Sequence, residues 1–397
     1  MQVLFGKCKY HNLRLIHSWL NSHASRSNPI HNLTGRIVPE GASPVSGGGR
    51  RGIFRSRLFG KVRATPTLLH GHKGSITFVA FISDDQIISA SDKDDTIRRW
   101  NLSDGNNKVV MEQVVYALSS SPKGRWMAMG ERDGKVRLLD LETSTLEVRK
   151  SAGRHKDVIK ALSFSPDSTQ LATGAQDGTM FVWSSATLEQ VAGPIWGHTD
   201  AVWWICYSLD GTKIASCDRE VILIRDTATW SSVIVIEEKA WSLAWSSDGS
   251  LFAGCIDGTI KIYDPSTGML RATWNGHSDV VSSIAFSHNA KFFATASWDK
   301  TIHLWEVATF QQIGPNLQHD APVQSLSISP DDSQLVSGAR DPNIRVWNLR
   351  NIVPNLFEKF PLETDRGQVC SVCLSARHVV SLTVLYDISR LLVPSRL

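Results

Sequence analysis

Asp299-Lys300-Thr301-Ile302-His303-Leu304-Trp305 opens with an acid-led turn and then alternates to end on a bulky ring. Turn residues followed by strict alternation read as a turn feeding a half-buried β-strand. The same pattern stands at Asp94–Trp100, Asp133–Leu139, Asp177–Trp183, Asp257–Tyr263 and Asp341–Trp347. Upstream of these, histidines recur at His72, His155, His198, His277 and His319, and strand-ending turns recur at Ser121-Pro122, Ser165-Pro166-Asp167, Ser246-Ser247-Asp248 and Ser329-Pro330-Asp331. A period of about 40 residues is the mark of a repeat architecture, in which each unit packs on its neighbours. Residues 63–349 read as seven such units, each of four short strands, which is the pattern of a propeller blade.

Length and composition agree with this reading. A chain of 397 residues would otherwise suggest two or three domains, but repeats escape that count. With 42% hydrophobic and 20% charged residues the chain can bury a large core. Its net charge of +4 conceals an asymmetry: residues 1–62 hold ten Lys or Arg and only Glu40 as an acid, so they carry +9 and the remainder −5. Cysteines 8, 206, 217, 255, 370 and 373 show no framework spacing, which fits a reducing compartment. No run is apolar for the eighteen or so residues that cross a bilayer, and the N-terminus lacks an uninterrupted apolar leader. Cytoplasm is the expected location, with the nucleus as an alternative and mitochondrial targeting by residues 1–62 as a minor one.

The quoted landmarks resemble the WD-repeat family over about 290 residues. That resemblance implies an all-β fold: a seven-bladed β-propeller of four-stranded antiparallel blades. The outer strand of the seventh blade is expected from Ala64–Leu69, which would lock the ring and remove exposed sheet edges. The second and fifth units lack the histidine. The fourth crowds its turn with Asp218, Arg219 and Glu220 and has Ile224 or Arg225 where a Trp is expected. Outside the repeats, residues 1–62 read as a basic, non-globular tail. Residues 350–397 read as a degenerate or truncated eighth unit, because Ile352–Leu356 echoes Ile313–Leu317 and Val369–Ser375 echoes Val323–Ser329. A longer parent protein with further blades is compatible with that echo.

Recurring His, Ser/Thr, Asp and Trp resemble catalytic machinery, but the family resemblance makes them structural tetrads. The sequence offers His155, Thr173, Asp177 and Trp183; His277, Thr295, Asp299 and Trp305; and His319, Ser337, Asp341 and Trp347. A half-buried Asp accepts from the His, the hydroxyl orients the His, and the indole N–H donates to the hydroxyl. One active site per blade has no chemical purpose, so repetition favours structure. No P-loop, GxSxG or HExxH motif is present. Cys370 and Cys373 have CxxC spacing without a second pair, so neither a metal nor a cofactor is expected.

The resemblance also implies a partner-binding face, formed by the residue before each turn Asp and by residues flanking the centre of each innermost strand. These are Lys93, Arg132, Gln176, Ile256, Trp298 and Arg340, and Thr77, Tyr116, Lys160, Trp203, Lys239, Trp241, Ser282 and Gln324. None of the fourteen is acidic, although the body that carries them is. Aromatic residues and Arg are enriched at binding hot spots. A basic and aromatic bowl suits acidic or phosphorylated protein segments. The expectation is a non-catalytic interaction scaffold, monomeric or in a hetero-complex. The alternatives are the propeller portion of a larger signalling or sensor protein, a nucleic-acid-associated factor acting through the basic tail, and an enzyme at the channel mouth.

Overall fold

The computed structural model describes residues 64–113, 115–141, 148–150 and 155–357. They form seven separate four-stranded antiparallel sheets. Blade 1 runs Ile76–Ser83, Gln86–Ser91, Thr96–Asn101 and Asn107–Glu112. The same innermost-to-outermost succession gives blade 2 from Ala117–Ser120 to Val148–Lys150, blade 3 from Ile159–Phe164 to Gln190–Ile195, and blade 4 from Trp204–Tyr207 to Ser232–Glu237. Blade 5 runs from Ala240–Trp245 to Leu270–Asn275, and blade 6 from Val281–Phe286 to Gln312–Gln318. The three inner strands of blade 7 are Val323–Ile328, Gln334–Ala339 and Ile344–Asn348. Its outer strand is Thr67–Leu69, which pairs Thr67 with Val346 and Leu69 with Ile344. The start of the repeat region therefore closes the ring on its end.

Burial follows distance from the axis. Second strands such as Trp126–Gly130, Leu251–Cys255 and Phe292–Ser297 are buried at every residue, because blades cover both of their faces. Outer strands such as Asn107–Glu112 are mostly exposed. One apolar cluster fills each of the seven seams between neighbouring blades, for example Trp126, Leu138, Ile159, Phe164 and Trp183 between blades 2 and 3. Two glycines serve the turns that carry the acids. Gly134 has φ +77°, and a Cβ there would lie 2.2 Å from the His155 carbonyl. A Cβ on Gly74 would meet the stem of Lys93 at 2.2 Å.

After blade 7 the chain makes a short helix, Leu349–Ile352, and a 3-10 turn, Pro354–Leu356. Ile352–Leu356 therefore echoes Ile313–Leu317 in sequence and not in conformation, since the earlier segment is strand. Ile352 and Val353 are buried beside Ile313 and Ala64. Ala64 enters the outer strand of blade 7 at the end where Trp347 leaves its third strand. The described residues thus begin and end on the face opposite the Asp-led turns. The tail 1–62, the Cys370/Cys373 pair and the echo at Val369–Ser375 lie outside the described residues.

Candidate interaction face at the channel mouth

The tetrads explain why the Asp-led face is rigid. In blade 6 the Trp305 indole N–H donates to Thr295 Oγ1 at 2.8 Å, and Thr295 lies 2.8 Å from His277 Nε2. His277 Nδ1 lies 2.9 Å from the Asp299 carboxylate, which also accepts from the amides of Ser278 and Thr301 and from the Thr301 hydroxyl. These donors hold the Asp299 carboxyl well below its ordinary range despite its burial.

Blade 3 differs in one link. His155 Nδ1 meets the Thr179 hydroxyl at 2.9 Å while Asp177 stands 3.8 Å away, so the threonine bridges the two. In blade 7 the expected set is broken. His319 keeps Ser337 at 2.9 Å, and Trp347 donates to Ser337 at 2.9 Å, but Asp341 accepts from Arg345 and His319 Nδ1 has no partner. The buried Arg345, held between Asp341 and Asp320, is the stronger donor and captures the carboxylate.

A complete tetrad that sequence spacing hides stands in blade 1: His72, Ser89, Asp94 and Trp100. Ser89 lies five residues before its Asp, whereas Thr173, Thr295 and Ser337 lie four before theirs, so a longer turn masks the match. In blade 4, Ile214 pairs with Arg225, which places Arg225 in the Trp slot. Its guanidinium bonds the Trp196 carbonyl and Ser232. In blade 5, Glu238 takes the place of the His and accepts from the Tyr263 hydroxyl and Lys261. In blade 2, a pair between Arg137 and buried Glu131 substitutes.

On this frame the turns present their preceding residues inward. The amides of Gln176, Ile256, Trp298 and Arg340 each donate to a carbonyl at the start of the innermost strand of the same blade. The channel beside these turns is a cavity of about 460 Å³ lined by Thr77, Tyr116, Lys160, Trp203, Trp241, Ser282 and Gln324 among others. Six of the fourteen candidate positions form one unbroken arc, one from each of blades 2 to 7. The Lys160 ammonium sits 4.7 Å from the Tyr116 ring centre and 5.7 Å from that of Trp203. Trp203 stacks on Trp241 at 5.1 Å, Trp241 meets Trp298 edge-on at 5.0 Å, and the Arg340 guanidinium lies 4.5 Å from the Trp298 ring centre.

Arg219, which the sequence reading did not single out for this face, covers Trp203 at 5.4 Å. The remaining positions stay outside the arc. Lys239 pairs with Glu220 at 3.7 Å, and Ser282 is buried with its hydroxyl on two carbonyls. Lys93, Arg132, Gln176 and Ile256 are exposed. Burial lowers the Lys160 pKa, and Asp157 partly offsets this.

Seven segments of the sequence, 63–101, 110–140, 147–184, 190–224, 231–264, 268–306 and 311–348, match WD40, the WD domain, G-beta repeat. The chain belongs to the WD40 family. Among its relatives, periodic tryptophan protein 2 of Arabidopsis thaliana is 27% identical over 60% of this chain and 27% of its own length. Apoptotic protease-activating factor 1 of Rattus norvegicus is 34% identical over 66% of this chain and 18% of its own length. The guanine nucleotide-binding protein subunit beta of Zea mays is 24% identical, over 70% of this chain and 82% of the relative. The crystal structure of the Doa1 WD40 propeller superposes with a TM-score of 0.63 at 21% identity, covering 71% of this chain and 95% of that one, a likeness of fold alone. The chain thus spans about a quarter or less of the first two relatives. Among the described residues, no helix is long and apolar enough to cross a membrane, and no cluster of three His, Cys, Asp or Glu could hold a metal.

Proposed function

We propose that this WD40 propeller is a non-catalytic interaction scaffold whose channel-mouth face receives acidic or phosphorylated segments of partner proteins. The arc from Tyr116 to Arg340 carries this reading. Its two cations, Lys160 and Arg340, rest on rings and have no carboxylate within ion-pairing distance among the described residues. A preformed aromatic and cationic surface loses little entropy on binding. General acid–base work needs titratable groups poised in the channel, yet its lining holds only Tyr116 and Lys160 of that kind, with no Asp, Glu, His or Cys. One relative is by name a subunit, which is consistent with service in a hetero-complex.

The test is binding to arrayed peptides of defined sequence: phosphoserine-containing, glutamate-rich and lysine-rich. The expected order is phosphorylated and acidic above basic, with binding lost in Trp298→Ala/Arg340→Ala while the melting temperature stays put. Equal binding of basic peptides, or a collapsed melt in the double variant, refutes the reading.

A second reading concerns context. The small share of periodic tryptophan protein 2 and apoptotic protease-activating factor 1 that this chain spans favours a propeller acting as one part of a larger protein.

A further inference from the structure

The channel mouth has donors without acceptors. In the blades, the indoles of Trp100, Trp183, Trp305 and Trp347 each donate to a Ser or Thr, and that of Trp245 donates to the Cys206 carbonyl. The indole N–H groups of Trp203 and Trp298 are shielded from solvent and have no acceptor. A buried donor left unmade is costly, and here two stand in one ladder. Trp274 also lacks an acceptor, but it lies in an apolar stack with Phe310, Phe293 and Trp305.

Each unpaired indole at the mouth has a cation beside it: Lys160 at Trp203, which Arg219 also covers while paired with Asp200, and Arg340 at Trp298. Of the other nearby carboxylates, Glu220 pairs with Lys239 and Glu131 with Arg137, while Asp157 accepts from the Val158 amide and acts on Lys160 from beyond ion-pairing distance. The geometry is therefore two like pairs, each an indole donor with a cation, on either side of Trp241. Both ring-to-ring steps are about 5 Å, so the two indoles lie within about 10 Å of each other. Alternate side chains of an extended chain share one face at a spacing of roughly 6.6 Å, which lies inside that limit.

We infer that the mouth holds two oxyanion subsites, Trp203 with Lys160 and Trp298 with Arg340, which together read a partner segment bearing acidic groups two residues apart. This rests on the channel-mouth reading above and adds spacing and donors to it. Phosphate and carboxylate share the acceptor chemistry, and the phosphate's extra oxygen and charge make it the stronger ligand.

The experiment uses the full chain with ¹⁵N-labelled indoles. The probes are four synthetic glycine-spaced peptides: two phosphoserines two residues apart, the same two seven apart, one phosphoserine, and two glutamates two apart. The expected result is at least tenfold tighter binding of the two-apart phosphopeptide than of the single phosphoserine. The Trp203 and Trp298 indole resonances should move and that of Trp274 should not. Trp203→Phe keeps a ring and removes the donor, and Lys160→Met removes the cation and leaves the indole. Either should abolish the tenfold advantage. The glutamate peptide distinguishes the source of the anion: binding above the single phosphoserine assigns the subsites to carboxylates as well, and weaker binding assigns them to phosphate. If the phosphopeptides bind with no effect of number or spacing, or if both mouth indoles stay still, the two-subsite inference falls and the acidic-segment reading stands. If none of the four binds, both fall.

Discussion

Removing the carboxylate of Asp299 tests whether the tetrads hold the Asp-led face in place. Asp299 accepts from His277 Nδ1 at 2.9 Å, the Ser278 amide at 3.0 Å, the Thr301 amide at 2.9 Å and the Thr301 hydroxyl at 2.6 Å. A hydrogen bond to a charged group contributes about 1.5–3 kcal/mol. The turn amides regain water once the acid is gone, while buried His277 loses the carboxylate and keeps only the Thr301 hydroxyl at 3.1 Å beside its Nδ1. The net cost of Asp299→Ala is therefore about 3–5 kcal/mol, the range for breaking a buried pair from one side. Asp341→Ala provides the internal comparison. Asp341 accepts from the Asn343 amide and from Arg345, and Arg345 retains Asp320 at 2.8 Å. Its loss should cost about 1–2 kcal/mol. At roughly 2–4 °C per kcal/mol for a large domain, thermal melts should fall by about 10 °C for Asp299→Ala and by a few degrees for Asp341→Ala. Urea unfolding with unchanged m-values should give the same order. Equal shifts in the two variants would refute the argument, because they would mean that the His–Asp link contributes nothing beyond the turn amides.

Other expectations follow from the same geometry. Trp305→Ala removes a buried ring from the seam between blades 5 and 6 and should cost about 3–5 kcal/mol in chemical denaturation. Stability should also depend on pH through the histidines. Burial lowers His155 and His303 to about 4 and His319 to about 3, so the unfolded chain binds protons first as pH drops below about 6.5. Stability should be fully present above that value and decline from about pH 6.5 toward 4, which melts at stepped pH would detect; a flat profile contradicts it. Arg225→Trp should raise the melting temperature slightly. The Ser216 hydroxyl already bonds His198 at 2.7 Å and is positioned to accept an indole N–H, while Arg225 Nε is buried without a partner. A drop of several degrees would show that the bonds from Arg225 to Trp196 and Ser232 outweigh that gain.

The ring was legible because one period repeats with its turns in register, and the closing strand was expected from Ala64–Leu69, at the start of the repeats. The tetrads were legible only where spacing stays constant. Blade 1 was missed because Ser89 is displaced by one residue, and blade 7 was misread because nothing in the pattern says that Arg345 will take Asp341 from His319. Residues lining the channel could be named because the family resemblance says which strand positions face it. Their partners could not: that Lys239 turns to Glu220 while Lys160 lodges between Tyr116 and Trp203 depends on contacts between blades about 40 residues apart.

The innermost-strand aromatics of the arc come from blades with incomplete tetrads, whereas Trp298 comes from blade 6, whose tetrad is complete. Blade 2 has Glu131 with Arg137 instead, blade 5 has Glu238 with Tyr263 and Lys261, and blade 4 keeps His198, Ser216 and Asp218 but has Arg225 in the Trp slot. Those same blades supply the channel aromatics Tyr116, Trp203 and Trp241. Blades 1, 3, 6 and 7, which keep the His–hydroxyl–Trp links, supply Thr77, Lys160, Ser282 and Gln324 at the corresponding places. A tetrad stiffens its own blade through local hydrogen bonds. Trp203 and Trp241 instead stack across two adjacent blades at 5.1 Å, which ties neighbours together at the axis. Sequences depart from their own local rules where function or compensation demands it. The stacked rings of Trp203 and Trp241 are therefore placed to compensate, at the axis, for the incomplete tetrads of blades 4 and 5.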